Sequence, residues 1–148
     1  EAMARAVRAD TRVVFVANPN NPTGTLAPAA EMERFIAVMP AHVLVVLDEA
    51  YAEFAPATHR LAVDRYPNVV LVRTFSKALA SAAWRLGYLI GDPALVRRLA
   101  ALQLPYSIPT ASLEALDVAL DFAGDFEPMV RAVPERRDRL ADRLRHLG

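Results

Sequence analysis

Val43-Leu44-Val45-Val46-Leu47-Asp48-Glu49-Ala50-Tyr51 is an unbroken apolar run, rich in branched side chains, that ends abruptly in two carboxylates and a phenol. Continuous rather than alternating hydrophobicity over so short a length is the mark of a strand covered on both faces. Three further runs share this character: Val13 to Val16, Val69 to Val72, and Leu86 to Ile90 around Gly87. Helical patterns lie between some of them, which predicts an α/β fold with a mainly parallel sheet flanked by helices.

Between the first two runs, Met32, Phe35, Ile36 and Met39 share one helical face, and Pro28 can open that helix without losing a needed N–H. After the fourth run, Asp92 is placed as an N-cap and Pro93 as the first helical residue, with Leu95, Leu99 and Leu102 on one stripe. Pro105 and Pro109 bracket a loop over Leu104 to Pro109. A helix carrying Leu113, Leu116 and Leu120 follows, with Gly124 expected to end it. The stretch from Asp125 to Gly148 is dense in charge, and its clear apolar stripe is Leu140, Leu144 and Leu147. An interior proline costs ~3 kcal/mol, so a break or sharp kink is expected at Pro134. Arginines 131, 136, 137, 139, 143 and 145 alternate with acidic residues, which predicts a solvated helix surface rather than a phosphate-binding face.

The chain has 148 residues, 54% hydrophobic and 23% charged, enough apolar surface for one packed core and too little length for two large domains. Basic and acidic residues balance at 17 each, so no overall field draws it to nucleic acid or to a membrane surface. Cysteine is absent, which excludes thiol catalysis and thiolate metal sites and suits a reducing compartment, the cytoplasm. No run approaches the length of a membrane span. His42, His59 and His146 show no metal-ligand spacing, so no metal site is expected. Trp84 is expected to fill space beside the sheet, and Tyr106 to pack in the core or in its loop or to lie near a ligand.

Chemistry gathers at the ends of the apolar runs. Asn18-Pro19-Asn20-Asn21-Pro22-Thr23-Gly24 follows the first, and is read either as a ligand loop at a strand's carboxyl end or as a tight connection. Asp48 and Tyr51 end the second, where a buried carboxylate needs a cationic or hydrogen-bonded partner. A structural ion pair with an arginine is the other reading of that stretch. The third run leads into Arg73-Thr74-Phe75-Ser76-Lys77, with Arg85 further on. Two hydroxyls, a guanidinium and an ammonium there form an anion site beside a reactive amine. Lys77 is the only lysine in the chain, and arginine cannot replace it in Schiff-base chemistry because guanidinium stays protonated.

In order, N-P-x-N-P-T-G, D-E-A-Y, and T-F-S-K followed by R-x-G-Y resemble the fold-type-I pyridoxal-phosphate aminotransferases, most of all their histidinol-phosphate branch. The likeness spans about residues 12 to 91. It implies that the chain is part of the large domain, residues 1–124, with 125–148 a helical linker toward a small C-terminal domain. It implies pyridoxal 5'-phosphate as cofactor, joined to Lys77 as a Schiff base, with Asp48 facing the protonated pyridine nitrogen. It further implies that Asn21 and Tyr51 hydrogen-bond the ring oxygen, that Thr74, Ser76 and Arg85 hold the phosphate, and that the Asn21–Pro22 bond is cis. Substrates of this type are amino acids or amino-alcohol phosphates, the link to histidine biosynthesis is implied by the branch, and such enzymes are homodimers.

Between Lys77 and Arg85 the family usually has two glycines, whereas this chain reads Ala78-Leu79-Ala80-Ser81-Ala82-Ala83-Trp84. A positive φ at either position would cost about 1 kcal/mol. The family's glycine-rich phosphate turn and its substrate-carboxylate arginine have no counterpart in this sequence, so it reads as an internal segment with feeble activity alone. A threonine-phosphate decarboxylase, an aromatic aminotransferase, or a catalytically inert structural fragment are the competing readings.

Overall fold

The computed structural model describes residues 2–56 and 60–147, so His59, Glu1 and Gly148 lie outside the described residues. The chain forms two compact units, Glu1–Thr74 with Gly87–Ser107, and Phe75–Leu86 with Ile108–Gly148.

The first unit is built on a four-stranded sheet in the order β1-β2-β3-β4: β1 (Val13–Ala17), β2 (Leu44–Asp48), β3 (Val69–Thr74) and β4 (Gly87–Gly91). The first three strands are parallel and β4 runs antiparallel to β3, so the mainly parallel sheet expected from the apolar runs is present. Helices α1 (Ala2–Arg5), α2 (Ala29–Ala37), α3 (Arg60–Arg65) and α4 (Pro93–Ala100) complete the unit.

Side chains alternate between the faces of a strand, so Val45 and Leu47 of β2 and Val69 and Leu71 of β3 share one face. There they pack with Met32, Ile36 and Met39, the predicted stripe of α2 and its exit, with Phe35, Val63 and Tyr66 at the margin. Burying each large aliphatic side chain stabilises the unit by about 1.5–3 kcal/mol. Two-sided burial holds along β2, whose Val45, Val46 and Leu47 are all buried, but not along β1. That strand is at the sheet's edge, and Phe15 on its second face is 71% exposed. At β4, a Cβ on Gly87 would lie 2.6 Å from the Arg73 carbonyl oxygen, which is why glycine stands there. Asp92 caps α4 as read from the sequence, its Oδ1 accepting the N–H groups of Ala94 and Leu95 at 2.8 and 3.2 Å.

In the second unit, residues 75–86 form a folded loop ending in a 3-10 turn, Ala82–Trp84, and are followed by α5 (Thr110–Asp121) and α6 (Ala123–His146). Three expectations are corrected here. Gly124 does not end α5; Phe122 does, and Gly124 lies in the first turn of α6. Pro134 does not break the last helix, which runs on through both Pro128 and Pro134. The carbonyls that lose an N–H partner, on Gly124 and Val130, belong to a helix with no buried residue, where water can replace the lost bond. Trp84, expected to fill space, is instead exposed; so, in the first unit, is Tyr106, which packs in neither core nor loop and whose φ of 58° places it in the left-handed region. The arginine-rich surface is solvated as expected: Arg131, Arg137 and Arg145 pair with Glu127, Asp138 and Asp142. Among the described residues no helix is long and apolar enough to cross a membrane.

Candidate active site

The carboxyl ends of β1, β2 and β3 lie side by side, since Ala17 pairs with Asp48 and Asp48 with Val72. The ladder continues one step past the strands: the Asn18 N–H donates to the Asp48 carbonyl and the Glu49 N–H to the Val72 carbonyl, both at 2.9 Å. The segments that follow β1 and β2 are thus anchored by backbone pairing before they leave the sheet.

The loop after β1 is closed by its own side chains. Buried Asn18 donates from Nδ2 to the Ala27 carbonyl at 3.1 Å and accepts the Ala27 N–H on Oδ1 at 2.8 Å. Asn20 donates to the Thr23 hydroxyl at 2.7 Å, and the Gly24 N–H reaches the Asn20 carbonyl at 2.8 Å. Gly24 has φ +68°, a conformation glycine adopts without a Cβ penalty. The Asn21–Pro22 bond is cis as expected, and Asn18–Pro19 is cis as well.

That path carries the Asn21 amide to Tyr51, with Nδ2 donating to the phenolic oxygen at 3.3 Å. Asp48, half-buried, accepts the Ala50 N–H on Oδ1 at 2.9 Å. Its partner is therefore a backbone dipole. The ion pair considered for this stretch exists, but on the next residue: Arg73 donates from Nε and Nη2 to Oε2 of Glu49 at 2.9 and 2.6 Å. Glu49 is 1% exposed and Arg73 17%. Burial acts to lower the Arg73 pKa, but hydrogen bonds and charge from Glu49 and Tyr88 outweigh it and raise it above the ordinary arginine value. Sequence reading passed over this pair, whose only signal was opposite charge at two neighbouring strand ends.

Thr74 closes β3 opposite Gly87. In the second unit, the loop 75–86 is cinched by the Phe75 N–H donating to the Leu86 carbonyl and the Ser81 N–H to the Phe75 carbonyl, both at 3.3 Å. Ser76 is half-buried and Lys77 exposed, and the Lys77 carbonyl accepts the Ala80 N–H at 3.2 Å. Ala80 has φ 50° and Arg85 φ 57°, so the methyl penalty foreseen for this loop falls on Ala80. The Arg85 guanidinium donates to the Ala82 carbonyl at 3.0 Å. Asn21, Asp48, Tyr51 and Thr74 thus belong to the first unit, and Ser76, Lys77 and Arg85 to the second.

The sequence pattern of "Aminotransferase class I and II" matches residues 1–148. An aromatic amino acid aminotransferase of Nocardia farcinica is 42% identical over all of this chain and 43% of its own length. Histidinol-phosphate aminotransferase 1 of Cupriavidus pinatubonensis is 46% identical over 81% of the chain and 33% of its own length. The crystal structure of histidinol-phosphate aminotransferase from Sinorhizobium meliloti in complex with pyridoxal-5'-phosphate superposes with a TM-score of 0.79 at 30% identity, covering 87% of this chain and 36% of that one. The chain spans less than half the length of the curated relatives it matches.

Proposed function

Because the chain belongs to the aminotransferase class I and II family, we propose that it carries much of the cofactor site of a pyridoxal-phosphate-dependent aminotransferase. The reaction moves an amino group between a donor, histidinol phosphate or glutamate, and a 2-oxo acid or related carbonyl compound. The observation that carries this reading is the Asn21–Tyr51 contact between the segments that leave the carboxyl ends of β1 and β2, parallel strands of the kind whose ends bind ligands in α/β sheets.

The residues present fit such a cofactor. An amide and a phenol within hydrogen-bond distance of each other can both donate to one ring oxygen, and a carboxylate steadied by a backbone N–H can face a protonated ring nitrogen. Bound pyridoxal phosphate supplies a ring that absorbs the charge left when an α-proton departs. Asp48 keeps the proton on the pyridine nitrogen on which that capacity depends. Lys77 would hold the cofactor through Nζ, and as a free amine that Nζ would serve as base and then as acid for the α-proton. Asn21 and Tyr51 tune the ring by sharing its oxygen, while Thr74, Ser76 and Arg85 hold the phosphate. Residues 125–148 form a helical linker from the large domain, 1–124, toward a small domain, and the working enzyme is a cytoplasmic homodimer.

Treatment with pyridoxal phosphate, reduction with borohydride and mass spectrometry tests the reading. A covalent adduct on Lys77 that disappears in Lys77→Ala supports it; no adduct on the unaltered chain rejects it in favour of an inert fragment. An aromatic amino donor is the second reading, favoured by the Nocardia relative's match along the whole chain. Turnover of histidinol phosphate against phenylalanine separates the two.

A further inference from the structure

Alternation along a strand sends Asp48 and Glu49 to opposite faces of the sheet, and Arg73 and Thr74 likewise. Glu49 and Arg73 follow Val45, Leu47, Val69 and Leu71 onto the face packed against α2. Asp48 and Thr74 are left on the other. Tyr88 is the register partner of Arg73 on β4 and acts with Glu49 to raise the Arg73 pKa, so polar groups at the ends of β2, β3 and β4 are linked through one guanidinium.

We infer that the buried Glu49–Arg73 pair, extended to Tyr88, is a positioning system that sets Asp48 and Thr74 from the reverse side of the sheet. Two features carry this. A buried ion pair is a poor source of stability, since the cost of removing both charges from water offsets much of their attraction and apolar residues of similar volume do as well. What the pair does supply is direction. Two donors from one guanidinium converge on a single carboxylate oxygen, which fixes strand ends at a spacing that branched aliphatic contacts leave adjustable. Because Asp48 and Thr74 are covalent neighbours of the paired residues, any slip between Glu49 and Arg73 moves the groups that meet the ring nitrogen and the phosphate. The inference rests on the cofactor reading above.

Its test is the pyridoxal phosphate dissociation constant of the full chain, measured by absorbance titration, alongside thermal melting. The decisive variant replaces both partners, Glu49→Leu with Arg73→Met, so that no uncompensated charge is left buried. Melting close to that of the unaltered chain with cofactor binding weakened on the order of tenfold or more is the expected result. Unchanged melting and unchanged binding would overturn the inference and leave the cofactor reading intact. If the unaltered chain gives no Lys77 adduct, both fall together. Should the double variant fail to fold, Tyr88→Phe decides, because Tyr88 is on the end strand and 38% exposed. Binding weakened roughly threefold at unchanged melting supports the positioning role, and unchanged binding refutes it.

Discussion

Ala80→Gly should make the protein more stable, against the usual rule for removing a side chain. Ala80 is exposed with φ 50°, and an alanine held in the left-handed region costs roughly 1–2 kcal/mol. Glycine removes that cost, while its greater freedom in the unfolded chain takes back about 0.4–1 kcal/mol. The balance favours glycine by about 0.5–1 kcal/mol, a rise of roughly 2 °C in melting temperature for a chain of this size. Ala83→Gly is the internal control. Ala83 is exposed in the middle of the 3-10 turn Ala82–Trp84 and lacks a positive φ, so glycine there should cost about 0.5–1 kcal/mol. Circular-dichroism melts of the two variants should move in opposite directions. Two falls, or a fall for Ala80→Gly alone, would refute the assignment of strain to residue 80. The N–H that Ala80 donates to the Lys77 carbonyl survives the change, so borohydride labelling of Lys77 should be unaffected.

Gly87→Ala places a methyl 2.6 Å from the Arg73 carbonyl oxygen, an overpacked contact expected to cost about 1–3 kcal/mol; an unchanged urea midpoint would contradict it. Asp92→Ala strips α4 of a cap that serves two N–H groups and should lower stability by about 1 kcal/mol, read from the same measurement. Asp138 should titrate below the ordinary carboxylate value, because the hydrogen bond from Arg137 favours its charged form. Its folded value being the lower one, the stabilisation it lends is present above the ordinary carboxylate range and vanishes as pH falls through the lowered value. NMR titration of the carboxyl checks this, and high salt should move the midpoint back up.

Strand positions were legible because branched apolar runs of that length have few other uses, and Asp92 with Pro93 announced α4 outright. What periodicity does not carry is neighbourhood. Nothing in Val13 to Val16 says that β1 is an edge strand, so two-sided burial was read where only one side is covered. The same gap hid the Glu49–Arg73 pair, whose members meet only once β2 and β3 are set in register with Asp48 opposite Val72. Residues Asn21 and Tyr51 were read as partners of one ring atom through resemblance, and they do lie within hydrogen-bond distance of each other. Pro134 carries a cost without setting a boundary: the ring displaces the Val130 carbonyl, which on an exposed helix can turn to water while the helix runs on. Alanine gives no sign of an unusual φ, so Ala80 could be flagged only as a departure from a glycine pattern.

The Asn18 amide grips both backbone groups of Ala27, and so stands in for the missing edge of a hairpin. Residues 19–26 thus run between two points that one side chain ties together, with Asn20, Thr23 and Gly24 adding bonds inside the loop. On the proposed reading, a new side chain at position 21 would change what the loop offers a ligand while the Asn18–Ala27 clasp keeps the start of α2 in place.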